Sequence, residues 1–397
     1  MPKKLLFICI LTLFVSYAFS QQDSLNYLNQ LRQQAGLIKL KYNKTLSAAA
    51  LNHAIYLAHA KIITHKEKRI SRFFTGSTPA DRCIRLGFNT RFVFENVNYG
   101  AKNIRQSINQ LFSAVYHRLN FLNFSVDEIG FASYDQFYVY ELSNSYINAL
   151  CTKQFKNFVG QYFTDLCGKN NKKIPQQAYY QALDKVQKQN PKFIAFPPNN
   201  DTTVPVFFTG EIPNPTPNCF FAGYPISFQL NPYYFENKNI KLISFKLQQL
   251  NPVKKVPGFV LTKDNDPNKF LSATDFVLIP KTMLKYNTLY QAYIELRVEN
   301  TKLSYTWRFR TSNPQIRIIY LSGNQTVHIN SNTTILVQLA PENCSTPLMN
   351  EISYNYNCNI LKLNSLTPLT SKIFISGFPG QKAIINFGLY TLTLIIK

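Results

Sequence analysis

Prolines at 191, 197, 198, 205, 213, 215 and 217 crowd one short stretch of the chain. Each lacks the backbone N–H and sets its ring against the carbonyl four residues back, so no helix can run through them. The stretch reads as a linker or edge segment. It divides a chain whose two sides have different texture. Upstream, apolar residues recur at helical spacing. Asp23 and Ser24 can cap a helix that places Leu25, Leu28, Leu31 and Ala35 on one stripe and stops at Gly36. A second helix is expected from Leu46 to Lys61. A third has Thr78 as cap, Pro79 at the first helical position and Gly87 beyond its end. A fourth is expected from Ile104 to Tyr116, with Ile104, Ile108, Leu111, Phe112 and Val115 facing a core.

The period then changes. Glu128–Ala132 and Phe137–Leu142 read as two strands joined near Tyr134-Asp135-Gln136, which gives helices packed on an antiparallel sheet. The polar segment before the prolines carries one more helical pattern near Gln176–Gln187. From Gly223 onward strands and turns dominate, the clearest at 225–230, 240–247, 276–279, 290–298, 305–310, 316–321, 333–339 and 390–396. The expected class is α+β. Its divisions are a leader over 1–20, a mixed domain over 21–168, a Pro-rich linker over 169–217, a β domain over 218–312 and a second β-rich module over 313–397.

The leader follows from charge and polarity. Lys3 and Lys4 precede an apolar run from Leu5 to Phe19, and Ala18-Phe19-Ser20 supplies a small-x-small cleavage site before Gln21. The run is short for a membrane span. Export, to the extracellular space, periplasm or cell surface, makes disulfides available to Cys83, Cys151, Cys167, Cys219, Cys344 and Cys358. The simplest pairing is local, Cys151 with Cys167 and Cys344 with Cys358. Without a C-x-x-C motif, neither a cysteine zinc site nor a thioredoxin-type redox motif is expected. Lys and Arg number 43 against 20 Asp and Glu, a formal charge of +23. An exported chain this basic is drawn to acidic surfaces: polysaccharide, cell wall or lipid. Nothing points to specific nucleic acid, and no G-x-S-x-G, H-E-x-x-H, P-loop or Rossmann fingerprint occurs.

A family pattern runs through the first half. Leu28-Asn29-Gln30-Leu31-Arg32 is followed by Gly36-Leu37 and Leu40-Lys41-Tyr42. Then come Ala49 to Ala54, Thr64-His65-Lys66-Glu67, Phe74 to Arg82, Glu95-Asn96-Val97, His117-Arg118 and Glu128-Ile129-Gly130. In that order these segments resemble the CAP superfamily of cysteine-rich secretory, antigen 5 and pathogenesis-related proteins, most closely its bacterial secreted branch. The resemblance implies an α-β-α sandwich with a central cleft of two histidines and two acids. It assigns the cleft to His65, Glu95 and His117. The second acid is missing: the segment 101–116 holds no carboxylate, and Gln106, Asn109 or Gln110 stands in its place. Downstream, Gly223-Tyr224-Pro225, Leu278-Ile279-Pro280 and Trp307 to Thr311 resemble bacterial immunoglobulin-like domains, which implies antiparallel β-sandwich modules.

Several readings of the cleft stay open. His65 and His117 are candidate ligands for Zn²⁺, since neutral imidazoles suit that ion, and two histidines with one carboxylate leave an open position that could activate water. The blander alternative is a hydrogen-bonded tie between loops and helix. His53 and His59 default to packed or exposed residues. Lys61, Lys66, Lys68, Arg69 and Arg72 surround His65 with only Glu67 opposing, as an anion-attracting rim or a solvated loop. Two functions follow: a secreted binding protein engaging lipid, sterol or acidic polysaccharide, or a metal-dependent hydrolase. Mass spectrometry of protein from its native host is expected to find a mature N-terminus at or within a few residues of Gln21; an intact Met1 would contradict the leader.

Overall fold

Asn43 starts the element on which the first half is built. Its side chain accepts from the backbone N–H groups of Thr45 and Leu46 and so caps a long helix. The computed structural model describes residues 21–397 except 156–158, 169–171, 209, 343, 347–350 and 389; the expected leader at 1–20 lies outside the described residues. In chain order the first half runs α1 (residues 21–34), β1 (Lys41–Tyr42), α2 (Lys44–Ala60), α3 (Pro79–Arg85) and β2 (Val93–Tyr99). Then come α4 (Ile104–Ser113), α5 (Val115–Phe121), β3 (Glu128–Tyr134), β4 (Phe137–Ser143), α6 (Ser145–Leu150) and α7 (Gln176–Gln187).

The sheet order is β1-β3-β4-β2. β4 is antiparallel to both neighbours, and β1 adds in parallel to β3. The β3–β4 turn needs two left-handed residues, supplied by Asp135 (φ 45°) and Gln136 (φ 66°). β4 is buried along its whole length, so both faces must be covered. Phe137 and Val139 pack with Ala50, Ala54 and Leu57 of α2. On the alternate positions, the Tyr138 hydroxyl donates to the Ala101 carbonyl and the Tyr140 hydroxyl to Ser107 of α4. Helices on both faces make the expected α-β-α arrangement.

Helix α2 approaches β3 closely because half of its buried residues are small: Ser47, Ala49, Ala50 and Ala54. The Ser47 hydroxyl donates to the Phe131 carbonyl at 2.8 Å. Gly130 completes the fit, since a Cβ there would lie 2.0 Å from the Ser47 backbone nitrogen.

Some elements differ from the sequence reading. The single helix expected over 104–116 is two helices, parted at Ala114, whose backbone is extended (φ −82°, ψ 124°). Arg118 turns its Nε back to the Phe112 carbonyl at 2.6 Å, so a side chain satisfies an acceptor that the broken helix leaves open. Within 169–217 the helical pattern at Gln176–Gln187 is a helix. The same stretch contains the strand Phe193–Phe196, which pairs antiparallel with Ile226–Leu230, and it buries Val204 and Val206. The described chain divides into two compact units, 21–198 with 227–240 and 270–276, and 199–226 with 241–269 and 277–397.

The second unit is β-rich. The antiparallel hairpin Leu289–Val298 and Thr301–Arg310 belongs to a four-stranded sheet with a second antiparallel pair, Ile240–Leu250 and Val253–Val256. Two further four-stranded sheets enclose a core that includes Ile319, Leu321, Ile335, Val337, Ile373, Ile385, Leu392 and Leu394. Pairing there is mostly antiparallel. Two pairs are parallel, Arg317–Leu321 with Thr333–Leu339 and Gln325–Ile329 with Thr391–Ile396. Cys151 pairs with Cys167 as the local rule suggests, but Cys344 pairs with Cys219 and leaves Cys358 a buried thiol, like Cys83. Sheet geometry overrides sequence proximity: the Phe220 N–H donates to the Cys344 carbonyl and the Ser345 hydroxyl to the Asn218 carbonyl, which sets those two segments side by side.

Gly130→Ala is expected to cost about 3 kcal/mol or more, because the added methyl meets α2 backbone rather than a movable side chain. Urea unfolding of the variant measures this, and a change within about 0.5 kcal/mol would contradict the packing described.

Candidate functional site

The α2 face of the sheet holds the chemistry. Inward positions of β2 are Val93, Glu95 and Val97, and those of β4 are Phe137, Val139 and Glu141, so Glu95 and Glu141 stand directly opposite in the ladder. Both side chains are buried. Like charges in that relation repel, and burial strips them of water.

Helix α3 brings the counter-charge. Thr78 and Asp81 form a reciprocal capping box with Pro79 in the first turn. This sets Arg82, also buried, over the two strands. Its Nη2 donates to Glu95 Oε2 and lies 3.7 Å from Glu141 Oε1; its Nη1 donates to the His65 carbonyl at 3.1 Å; its Nε lies 3.9 Å from Glu67 Oε1. Glu67 turns in from the α2–α3 loop and accepts from the Thr75 N–H at 2.6 Å and the Gly76 N–H at 3.2 Å. His53 of α2 closes the ring, with Nδ1 2.9 Å from Glu67 and Nε2 2.8 Å from the Thr64 carbonyl. Both ring nitrogens of this buried side chain are therefore engaged.

The carboxyls do not behave alike. Burial pushes Glu95 up, but the Arg82 charge, then His53 and the His65 hydrogen bond, outweigh it and hold it down at about 2. Burial also works against Glu67, which His53, Thr75 and Arg82 together bring below its ordinary value. Glu141 goes the other way. Burial first, and the Glu95 carboxylate second, raise it well above the carboxylate range despite Arg82. Neither of its oxygens has a hydrogen-bond partner, and burial of that kind favours the protonated carboxyl. Arg82 thus faces two carboxyls held below their ordinary value and one pushed above it.

The sequence-assigned residues are placed as follows. His65 Nδ1 meets Glu95 Oε1 at 2.8 Å, and the His65 side chain is half-exposed. His117 lies on α5, with its backbone carbonyl accepting from Asn96, the residue beside Glu95, at 2.8 Å. Glu95 has both oxygens engaged, by His65 and Arg82, so it orients His65 rather than facing an open position. Among the described residues no three His, Cys, Asp or Glu side chains are grouped to hold a metal ion. No candidate for the missing acid has a described contact with His65 or Glu95. Gln106 accepts from the Lys102 N–H, Asn109 from Tyr27, and Gln110 from Asn98.

The second acid beside Glu95 is Glu141, from a strand. The signal for it was a carboxylate continuing the inward set Phe137 and Val139. His53 is a full member of the cluster, whereas His59 is exposed and stacks on Phe73 at 3.8 Å.

Residues 25–150, which hold the helices and sheet described, match the CAP, cysteine-rich secretory protein family. Among solved structures, an extracellular SCP-domain protein of Bacillus anthracis is 20 % identical, covering 31 % of this chain and 39 % of its own, with a TM-score of 0.29. An outer surface protein of Borrelia burgdorferi is 21 % identical over 31 % of this chain and 91 % of its own, TM-score 0.27. A cysteine-rich secretory protein of Staphylococcus aureus is 21 % identical over 30 % and 36 %, TM-score 0.24. This chain spans well under half the length of the first and third. No curated protein matches it.

The titrations make a signed prediction. Glu95, lowered in the folded state, contributes stability present above the unfolded value near 4.5 and lost as pH falls toward about 2. Glu141, raised, contributes stability that is lost as pH climbs from 4.5 toward its folded value, by up to about 1.4 kcal/mol per unit. Glu141→Gln is therefore expected to gain on the wild type as pH rises from about 4.5. Arg82→Met should lose about 3–5 kcal/mol by leaving buried carboxylates unpaired. Urea melts across pH give both, and a Glu141→Gln variant that falls behind the wild type with rising pH would contradict the assignment.

Proposed function

We propose that this is an exported binding protein whose CAP domain engages an acidic surface, lipid or acidic polysaccharide, rather than a hydrolase. The observation that carries this reading is the segregation of charge between α2 and α3. Glu67, the one acid in that loop, is buried in the Arg82 cluster, while Lys61, Lys66, Lys68, Arg69 and Arg72 are all exposed. The expected rim is thus unopposed within its own loop. The glutamates that would serve acid–base chemistry are closed around Arg82 and His53, which suits a tie holding that loop in place. The two disulfides fit an oxidising compartment.

The hydrolase reading keeps one specific support. His65 is half-exposed and oriented by a buried carboxylate, the arrangement of a general base or of a metal-binding histidine with its outer partner. A sterol ligand has no comparable support on the domain.

Binding to a soluble polyanion such as heparin separates the readings. It is expected to be measurable and to weaken steeply between about 0.05 and about 0.5 M salt, as screening shortens the reach of exposed charges. A protein that ignores polyanions, carries stoichiometric zinc and loses a hydrolytic activity on chelation would overturn the proposal in favour of the hydrolase.

A further inference from the structure

The same loop carries a second, apolar signal that acidic polysaccharide would not use. Ile62, Ile63 and Ile70 are exposed to 40, 51 and 94 %. Single exposed aliphatics are ordinary on a protein surface. Three on one short segment, interleaved with five exposed cations, have the composition of a segment that lies in a bilayer interface.

The loop is also held. His53 engages the Thr64 carbonyl, the Tyr56 hydroxyl accepts from the Lys68 N–H at 3.0 Å, and Phe73 packs between His59 and the α2 core. Contacts to α2 at both ends and the middle leave the isoleucines with nothing to cover them and little ordering still to be done on docking. Tyr134, exposed and 6.2 Å from His59 ring to ring, adds an amphipathic side chain at the same edge. Asp135, next in the hairpin turn, is the exposed acid that accompanies it.

We propose that residues 61–72 dock on an anionic lipid bilayer, with Ile62, Ile63 and Ile70 seated between the headgroups and Lys61, Lys66, Lys68, Arg69 and Arg72 against their phosphates. This rests on the reading of an anion-binding protein and names its partner. A charged glycan would meet the cations but give the isoleucines no apolar phase to enter. An anionic bilayer answers both, and each basic residue near such a surface adds to the attraction.

The test uses the full chain. Trp307 is the only tryptophan and is 1 % exposed, so an Ile70→Trp variant reports on the loop alone against a constant background. With phosphatidylcholine vesicles containing phosphatidylserine, its emission is expected to shift to the blue and to be quenched by brominated acyl chains. With phosphatidylcholine alone, neither change is expected. Adding Lys66→Glu and Arg69→Glu should abolish the shift. In the otherwise unaltered chain, Ile62→Ser with Ile63→Ser should weaken anionic-vesicle binding about tenfold or more while leaving heparin binding within about twofold. Because these side chains are exposed, the variants remain folded. An introduced tryptophan that stays water-like with anionic vesicles overturns the docking surface. If heparin binding persists in that case, the broader anion-binding reading stands; if neither partner binds, both fail.

Discussion

Two glutamates face each other across a buried ladder, Glu95 on β2 and Glu141 on β4, and much of the domain is arranged to make that tolerable. Neither strand can supply the cation, because the positions around them on that face are filled by Val93, Val97 and Val139. The counter-charge must arrive from outside the sheet. It comes on α3, whose start is fixed by Thr78, Pro79 and Asp81 so that Arg82 falls over the pair. One guanidinium faces three carboxyls: Glu67 is also held by hydrogen bonds to His53, Thr75 and Gly76, while burial and Glu95 push Glu141 well above its ordinary value. A network of this kind is costly to break and adds little net stability over an apolar core; what it fixes is geometry.

The geometry fixed is that of the α2–α3 loop. Glu67 reaches inward and anchors Thr75 and Gly76, Arg82 holds the His65 carbonyl, and His53 holds Thr64. A loop of this length would ordinarily be mobile. Here its one acid is spent on the core, and what remains at the surface is cationic and apolar. Burial of charge in the domain and display of charge on its rim are thus two results of one arrangement.

The helix ends were plain in the sequence where turn chemistry is local, as at Thr78-Pro79 and Gly87, and so was the β3–β4 hairpin from two strand-like runs flanking Tyr134-Asp135-Gln136. His65 and Glu95 were placed by family motif alone, since no periodicity joins segments so far apart, and they do meet. Glu141 escaped notice because in a run of Phe, Tyr and Val a lone glutamate reads as the solvent side of a strand, whereas β4 has no solvent side. The break at Ala114 was invisible because it depends on Arg118 reaching the Phe112 carbonyl, a contact that only the fold creates. The Cys219–Cys344 bridge, 125 residues apart, lost out to a nearer partner for the same reason.

The central claim is that Glu141 is a neutral acid in a cluster where Glu67 and Glu95 are ionised. Carboxyl ¹³C chemical shifts, assigned by the Glu141→Gln and Glu95→Gln variants and read at neutral pH, test it most directly. The account predicts one protonated side-chain signal, lost in Glu141→Gln, beside ionised signals from Glu67 and Glu95. Ionised signals from all three, or a proton residing on Glu95, would contradict it.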